Sequence, residues 1–123
     1  GSPPQETDVI TWSIGKRPGA LNAYQVSDSG RSAETCFCVL DRRGEYSLVA
    51  LTLKTGRTHQ IRVHLSALGC PLAGDPLYGG GGELERPALH ACRIVLRHPF
   101  THQDLQFTSP MPKDLEHFWR NQR

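Results

Sequence analysis

The sequence predicts an α+β domain: a mixed, mostly antiparallel sheet with two short helices. Three observations carry this. Residues 33–40 and 46–53 are rich in β-branched and aromatic side chains, and the first run alternates with a period of two. The period then changes: Ile61, Leu65 and Leu68 recur at helical spacing between Thr58 and Gly69. Near the end, Pro112 precedes a second helical stripe of Leu115, Phe118 and Trp119.

Each element follows in order. Residues 1–8 read as a cloning scar, Gly1 and Ser2, followed by a polar, flexible leader. The domain proper is expected at 9–120, with a tail at 121–123. Residues 9–14 alternate enough for a short strand, ended by Gly15 and Pro18. Residues 20–30 are polar and suit a loop or a weak hairpin arm. In the next run Ala33, Thr35, Phe37 and Val39 share one face. Asp41-Arg42-Arg43-Gly44 carries turn chemistry, which makes 33–40 and 46–53 an antiparallel hairpin. In the second arm Leu48 and Ala50 lie on one face, and Val49, Leu51 and Leu53 on the other. Apolar residues on both faces predict a strand covered on both sides, inside the sheet.

Thr58 is a suitable N-cap for the first helix and Gly69 a suitable stop. On this helix His59, Arg62 and Ser66 form a polar stripe. Residues 71–78 hold a glycine-bearing turn with room for a short strand. Residues 90–96 predict a strand, His98-Pro99 a turn, and 105–107 its returning partner.

Composition narrows the functional classes. A chain of 123 residues suits one domain. No run approaches the roughly 20 apolar residues that span a bilayer, so no membrane partner is expected. Cys36, Cys38, Cys70 and Cys92 include no C-x-x-C pair, which argues for a reducing, cytoplasmic setting and against a zinc ribbon. His59 and His64 are five apart with no acid between them, so no metal site is expected. The formal charge of +2 permits an anionic partner without indicating one. Lys54, Arg57 and Arg62 nevertheless share one window free of acids, either a solvated face or an anion site.

That window belongs to the most informative segment, Leu53-Lys54-Thr55-Gly56-Arg57-Thr58-His59-Gln60-Ile61-Arg62-Val63-His64. It reads as a strand entering a glycine turn and then a helix. The first amides of a helix lack intrahelical partners, and its N-terminus carries partial positive charge. With Arg57 in the turn and Arg62 on the polar stripe, the arrangement suits a phosphate or a buried carboxylate. An ordinary capped helix with surface arginines fits the same spacing.

T-G-R-T-H-Q-I-R-V-H, followed by G-C-P-L-A-G-D-P-L-Y-G, closely resembles the third conserved motif of RluA-type RNA pseudouridine synthases. Further matches keep the family's order: Ser32 to Leu40 before the motif, Leu89-His90-Ala91 with His98-Pro99 after it, and Ser109-Pro110-Met111-Pro112-Lys113-Asp114-Leu115 at the end. The resemblance covers roughly residues 9–118 and implies the C-terminal portion of the catalytic domain. It implies isomerisation of uridine to pseudouridine in structured RNA, tRNA or rRNA, without metal or organic cofactor. The target nucleotide is flipped out of its stack and attacked by an aspartate. Arg62 would pair with that aspartate. Arg57, Thr58, His59, Gln60 and Leu89 would line the RNA cleft.

The departure is as informative. The family's nucleophile lies in an H-R-L-D-x-x-T-S-G-like motif upstream of these segments, and nothing here resembles it. Asp75 belongs to the family's own G-D-x-x-Y and does not substitute. The expectation is therefore a truncated piece, inactive alone, whose partners are structured RNA and the missing N-terminal half. It is also expected to associate with itself through an exposed sheet edge. A non-catalytic RNA-binding module of the same fold, or a protein-interaction scaffold, remains the alternative.

Overall fold

The computed structural model describes residues 1–123. Its elements are β1 (Thr7–Ile10), β2 (Ile14–Lys16), β3 (Tyr24–Val26), β4 (Thr35–Arg43), β5 (Tyr46–Leu53), α1 (Gln60–Ala67), β6 (Arg93–Arg97), β7 (Asp104–Thr108) and α2 (Lys113–Arg120). The α+β class with two short helices is as expected. Every strand pairing is antiparallel, and the strands divide into three small sheets: β1-β4-β5, β2-β3 and β6-β7.

The central strand is β4. Its alternation buries Ala33, Thr35, Phe37 and Val39 on one face, as the period-two pattern predicts. The register then shifts between Val39 and Asp41, leaving Leu40 exposed at a bulge. Two expectations are corrected here. Residues 41–43 continue the strand, and the turn is two residues long, with Gly44 at a φ of 58° between the paired Arg43 and Tyr46. And β5 lies at the edge of its sheet, not inside it.

Residues 1–8 are also bound more closely than a free leader. Pro3 is buried, and the Arg42 guanidinium bonds Ser2 Oγ and Glu6. Val39 N donates to the Glu6 carbonyl at 2.7 Å, which leads directly into β1. The single strand expected at 9–14 is two, with β2 returning through β3; the polar stretch supplies a short hairpin arm.

Helix α1 lies between two small cores. Leu65 joins Ile10, Phe37 and Val39, with Ile61, Leu68 and Leu72 packed alongside. Val63 faces the other way, into Ile14, Ala33 and Tyr78. Gly69, at a φ of 91°, ends the helix at the expected place. No strand forms at 71–78, which is a series of turns. Helix α2 caps the β4–β5 turn: Arg43 stacks on Trp119 at 4.9 Å, and Tyr46 meets Phe118 edge-to-face at 5.1 Å.

Candidate functional site

The T-G-R-T-H-Q-I-R segment enters α1 through a strained residue. His59 sits at the N-cap with φ 56°, in the left-handed region, and makes no side-chain capping bond. Thr58 is exposed in the turn before it and is not the cap. A non-glycine residue held at positive φ costs on the order of 1–3 kcal/mol, so its surroundings must hold it there. They do. His59 Nδ1 lies 2.7 Å from the Tyr78 hydroxyl, and its ring packs edge-on against both Tyr24 and Tyr78.

Gln60, the first helical residue, points inward. Its Oε1 accepts from Thr55 Oγ1 at 2.8 Å and from Arg57 N at 2.9 Å. Its Nε2 donates to the Glu34 carbonyl at 3.0 Å and to Thr35 Oγ1 at 2.9 Å. A saturated, buried amide has nothing to offer a ligand, so Gln60 does not line the cleft as expected. It ties the turn to β4. One turn on, fully buried His64 continues the chain of bonds, with Nδ1 2.8 Å from Thr35 Oγ1 and Nε2 2.7 Å from the Trp12 carbonyl. A carbonyl only accepts, so Nε2 carries the proton and Thr35 donates to Nδ1. Burial holds the His64 pKa below the ordinary histidine value, against the opposing pull of the Trp12 carbonyl.

On the polar stripe, Arg62 has a partner within the chain. Its Nε and Nη2 donate to Asp75 Oδ2 and Oδ1, each at 2.9 Å. The Asp75 bond was not expected, and it leaves one guanidinium nitrogen, Nη1, without a partner in the chain. Asp75 is fully buried, and its Oδ1 also accepts from Leu77 N at 3.0 Å and Tyr78 N at 3.2 Å. The Arg62 guanidinium, helped by these amides, holds the Asp75 carboxyl below the usual carboxylate range. Both carboxylate oxygens of Asp75 are thus engaged within the chain.

Arg57 Nε donates to the Ser32 carbonyl at 2.7 Å and has no acid partner. Beside it, an open cleft of about 310 Å³ is lined by Thr11, Ser32, Ala33, Glu34, Lys54 and Thr55. Leu89 belongs to neither group. Its carbonyl accepts from Arg86 Nη1 at 3.3 Å, and it connects to the Asp75 loop through the neighbouring Ala88 N–Ala73 O bond.

The residue that sequence reasoning passed over is Tyr78. It is buried, bonds His59, accepts from Tyr24 N at 3.0 Å, and takes the Ser66 hydroxyl on its carbonyl at 2.7 Å. The Arg62 guanidinium lies 5.0 Å from its ring centre and that of Arg17 5.4 Å. The whole predicted polar stripe, His59, Arg62 and Ser66, converges on it. Its place in G-D-P-L-Y-G was the available signal.

An α+β body that presents an anchored arginine on the polar stripe of a short helix suits recognition of an oxyanion. Comparison with known proteins identifies the family. Residues 3–67 match the RNA pseudouridylate synthase family. An uncharacterised RNA pseudouridine synthase of Chloroflexus aurantiacus is 45% identical over 119 residues, covering 94% of this chain and 37% of that protein. Ribosomal large subunit pseudouridine synthase D of Nitrosomonas europaea is 39% identical over 121 residues, covering 90% and 35%. The solved human RNA pseudouridylate synthase domain containing 1 superposes with a TM-score of 0.73 at 30% identity, covering 89% of this chain and 50% of that one. The chain belongs to the RNA pseudouridylate synthase family, in its RluA-type branch. It spans little more than a third of the length of these curated relatives.

Proposed function

We propose that this chain is the C-terminal portion of a cytoplasmic RNA pseudouridine synthase domain, inactive alone, that isomerises uridine in tRNA or rRNA once a separate segment supplies the nucleophilic aspartate. The observation that carries the reading is the state of the chain's own carboxylates around Arg62. The one acid that touches the guanidinium, Asp75, is buried and saturated. Asp41, Asp104 and Asp114 are paired with Arg43, Arg97 and Arg86, and Asp8 accepts from its neighbour Val9 N. Asp28 stands in the exposed turn after β3.

In the reaction the C1′–N1 bond of a flipped uridine breaks, the ring turns, and a C1′–C5 bond forms. The C5 proton leaves to solvent and N1 gains one, so no redox partner or organic cofactor is needed. Arg62 would hold the incoming carboxylate ionised through its remaining nitrogen. Arg57 and Thr58, at the turn beside the cleft, would meet the RNA backbone. His59 would brace that turn, and Leu89 would offer an apolar wall to the flipped base.

Release of tritium from RNA labelled at uridine C5 tests this directly. No release is expected from the chain alone on tRNA or rRNA transcripts. Release is expected when the upstream portion of its own reading frame is added as a separate polypeptide. Turnover by the chain alone would overturn the reading, and so would inactivity of the combined halves on both RNA classes.

A further inference from the structure

We infer that Asp75 and Tyr78 are positioning residues for Arg62, fixing one edge and one face of its guanidinium so that Nη1 is presented outward to a second carboxylate. This rests on the proposed synthase reading for the identity of that carboxylate, but not for the positioning itself.

The geometry is specific. An arginine has three nitrogens, and here Nε and Nη2 are both committed to Asp75. Nη1 has no hydrogen bond within the chain, and the side chain keeps 19% of its surface open. The Tyr78 ring holds the guanidinium plane at 5.0 Å. Both anchors are themselves fixed. Asp75 is clamped by two backbone amides of its own turn, and Tyr78 by His59, Tyr24 and Ser66. A free arginine would lose about 2 kcal/mol of rotamer entropy on meeting a ligand. Here that ordering is complete beforehand, which is what preorganised electrostatic stabilisation requires.

The pairing also tempers the charge. A carboxylate arriving at Nη1 meets a cation already shared with Asp75. It is therefore drawn less strongly into its ionised form than beside a lone arginine. Asp75 thus raises the second carboxylate's pKa relative to what Arg62 alone would impose. A loop residue that merely tied residues 72–81 to α1 would have no such effect.

Two arms test this, and they fail independently of each other. In the ¹⁵N-labelled chain, the Arg62 Nε–Hε signal should stand apart from those of exposed arginines, with slow rotation about its Cζ–Nη bonds. Asp75→Asn should collapse it into the bulk while the backbone amide spectrum stays dispersed, and Asp75→Glu should restore it in part. Tyr78→Leu, which keeps the turn amides but removes the ring, should speed the Nη rotation several-fold. An unchanged Arg62 signal in Asp75→Asn overturns the positioning, as does loss of the fold in both Asp75→Asn and Tyr78→Leu.

The second arm uses the reconstituted enzyme. Asp75→Asn should lower kcat by about 10–100-fold with KM little changed, the scale of a misplaced catalytic group. It should also move the acid limb of kcat/KM to lower pH. An unmoved acid limb or a wild-type kcat overturns the link to catalysis. Inactivity of the wild-type halves together counts against the synthase reading and leaves the spectroscopic result standing.

Discussion

Thr35, Gln60 and His64 form a continuous donor–acceptor chain inside the molecule, and its proton positions follow from chemistry alone. Gln60 Nε2 donates to Thr35, Thr35 to His64 Nδ1, and His64 Nε2 to the Trp12 carbonyl. Thr35→Val would keep the shape and remove the middle oxygen. Leaving buried polar atoms unpaired costs about 1–3 kcal/mol, so urea unfolding should show a loss of that size. The same chain sets a pH dependence. The folded His64 pKa is depressed, so the unfolded chain takes up this proton first. Its stabilising contribution is full above the ordinary histidine value of about 6.5 and is lost as pH falls below it. His59 is depressed as well, mainly by burial and then by Arg62, so His59→Asn is the background for that measurement. Asp75 acts lower: its depressed pKa contributes stability above about pH 4 and loses it below. The urea midpoint of the His59→Asn chain should therefore begin to fall below about pH 6.5 and fall further below about pH 4. A midpoint that stays level down to about pH 4 would show that His64 does not titrate as its burial implies.

At the scale of elements, the exposed apolar surface makes the next prediction. In the β6–β7 hairpin Ile94, Val95 and Phe107 are 57%, 61% and 56% exposed, on a two-stranded sheet that pairs with no other strand. A lone hairpin is marginally stable, and open strand edges recruit other chains. The chain should therefore self-associate with rising concentration in sedimentation, and Val95→Lys should shift it towards monomer. A strictly monomeric mass at high concentration would exclude this. The hairpin's existence was legible in the sequence, because its arms and turn are local. The two-sided apolar pattern of β5 was legible too, but it was read as an interior strand, and β5 is an edge. A pattern reports that both faces favour cover without saying what covers them. The Thr58 cap failed for a different reason. Capping preference is local, whereas His59 is held left-handed by Tyr78, nineteen residues on. Arg62 was found through its motif, and its bond to Asp75 was not, because the turns that follow α1 decide which atoms meet.

Across the whole molecule, a small net charge conceals a division among the cations. Arg42, Arg43, Arg62, Arg86, Arg97 and Arg120 each face an acid. Eight others do not; Arg93, Lys113 and Arg123 lie apart, while bonds draw the neighbourhoods of Lys16, Arg17, Arg31, Lys54 and Arg57 together. Arg31 pairs through its backbone with Ile14, the first residue of the strand that ends in Lys16, and Arg57 bonds the carbonyl of Ser32. Arg17 reaches the Tyr78 ring, whose hydroxyl bonds His59. Each arginine that neutralises an RNA phosphate steepens the fall of log affinity with log salt by about 0.7–0.9. Titrating this chain with a structured tRNA transcript across a salt series should therefore give a slope that drops by roughly that amount in Arg57→Ala and again in Arg17→Ala. Arg97→Ala should leave it unchanged, because that guanidinium already answers Asp104. Equal losses from all three substitutions would mean that RNA meets the molecule's overall charge and not this face.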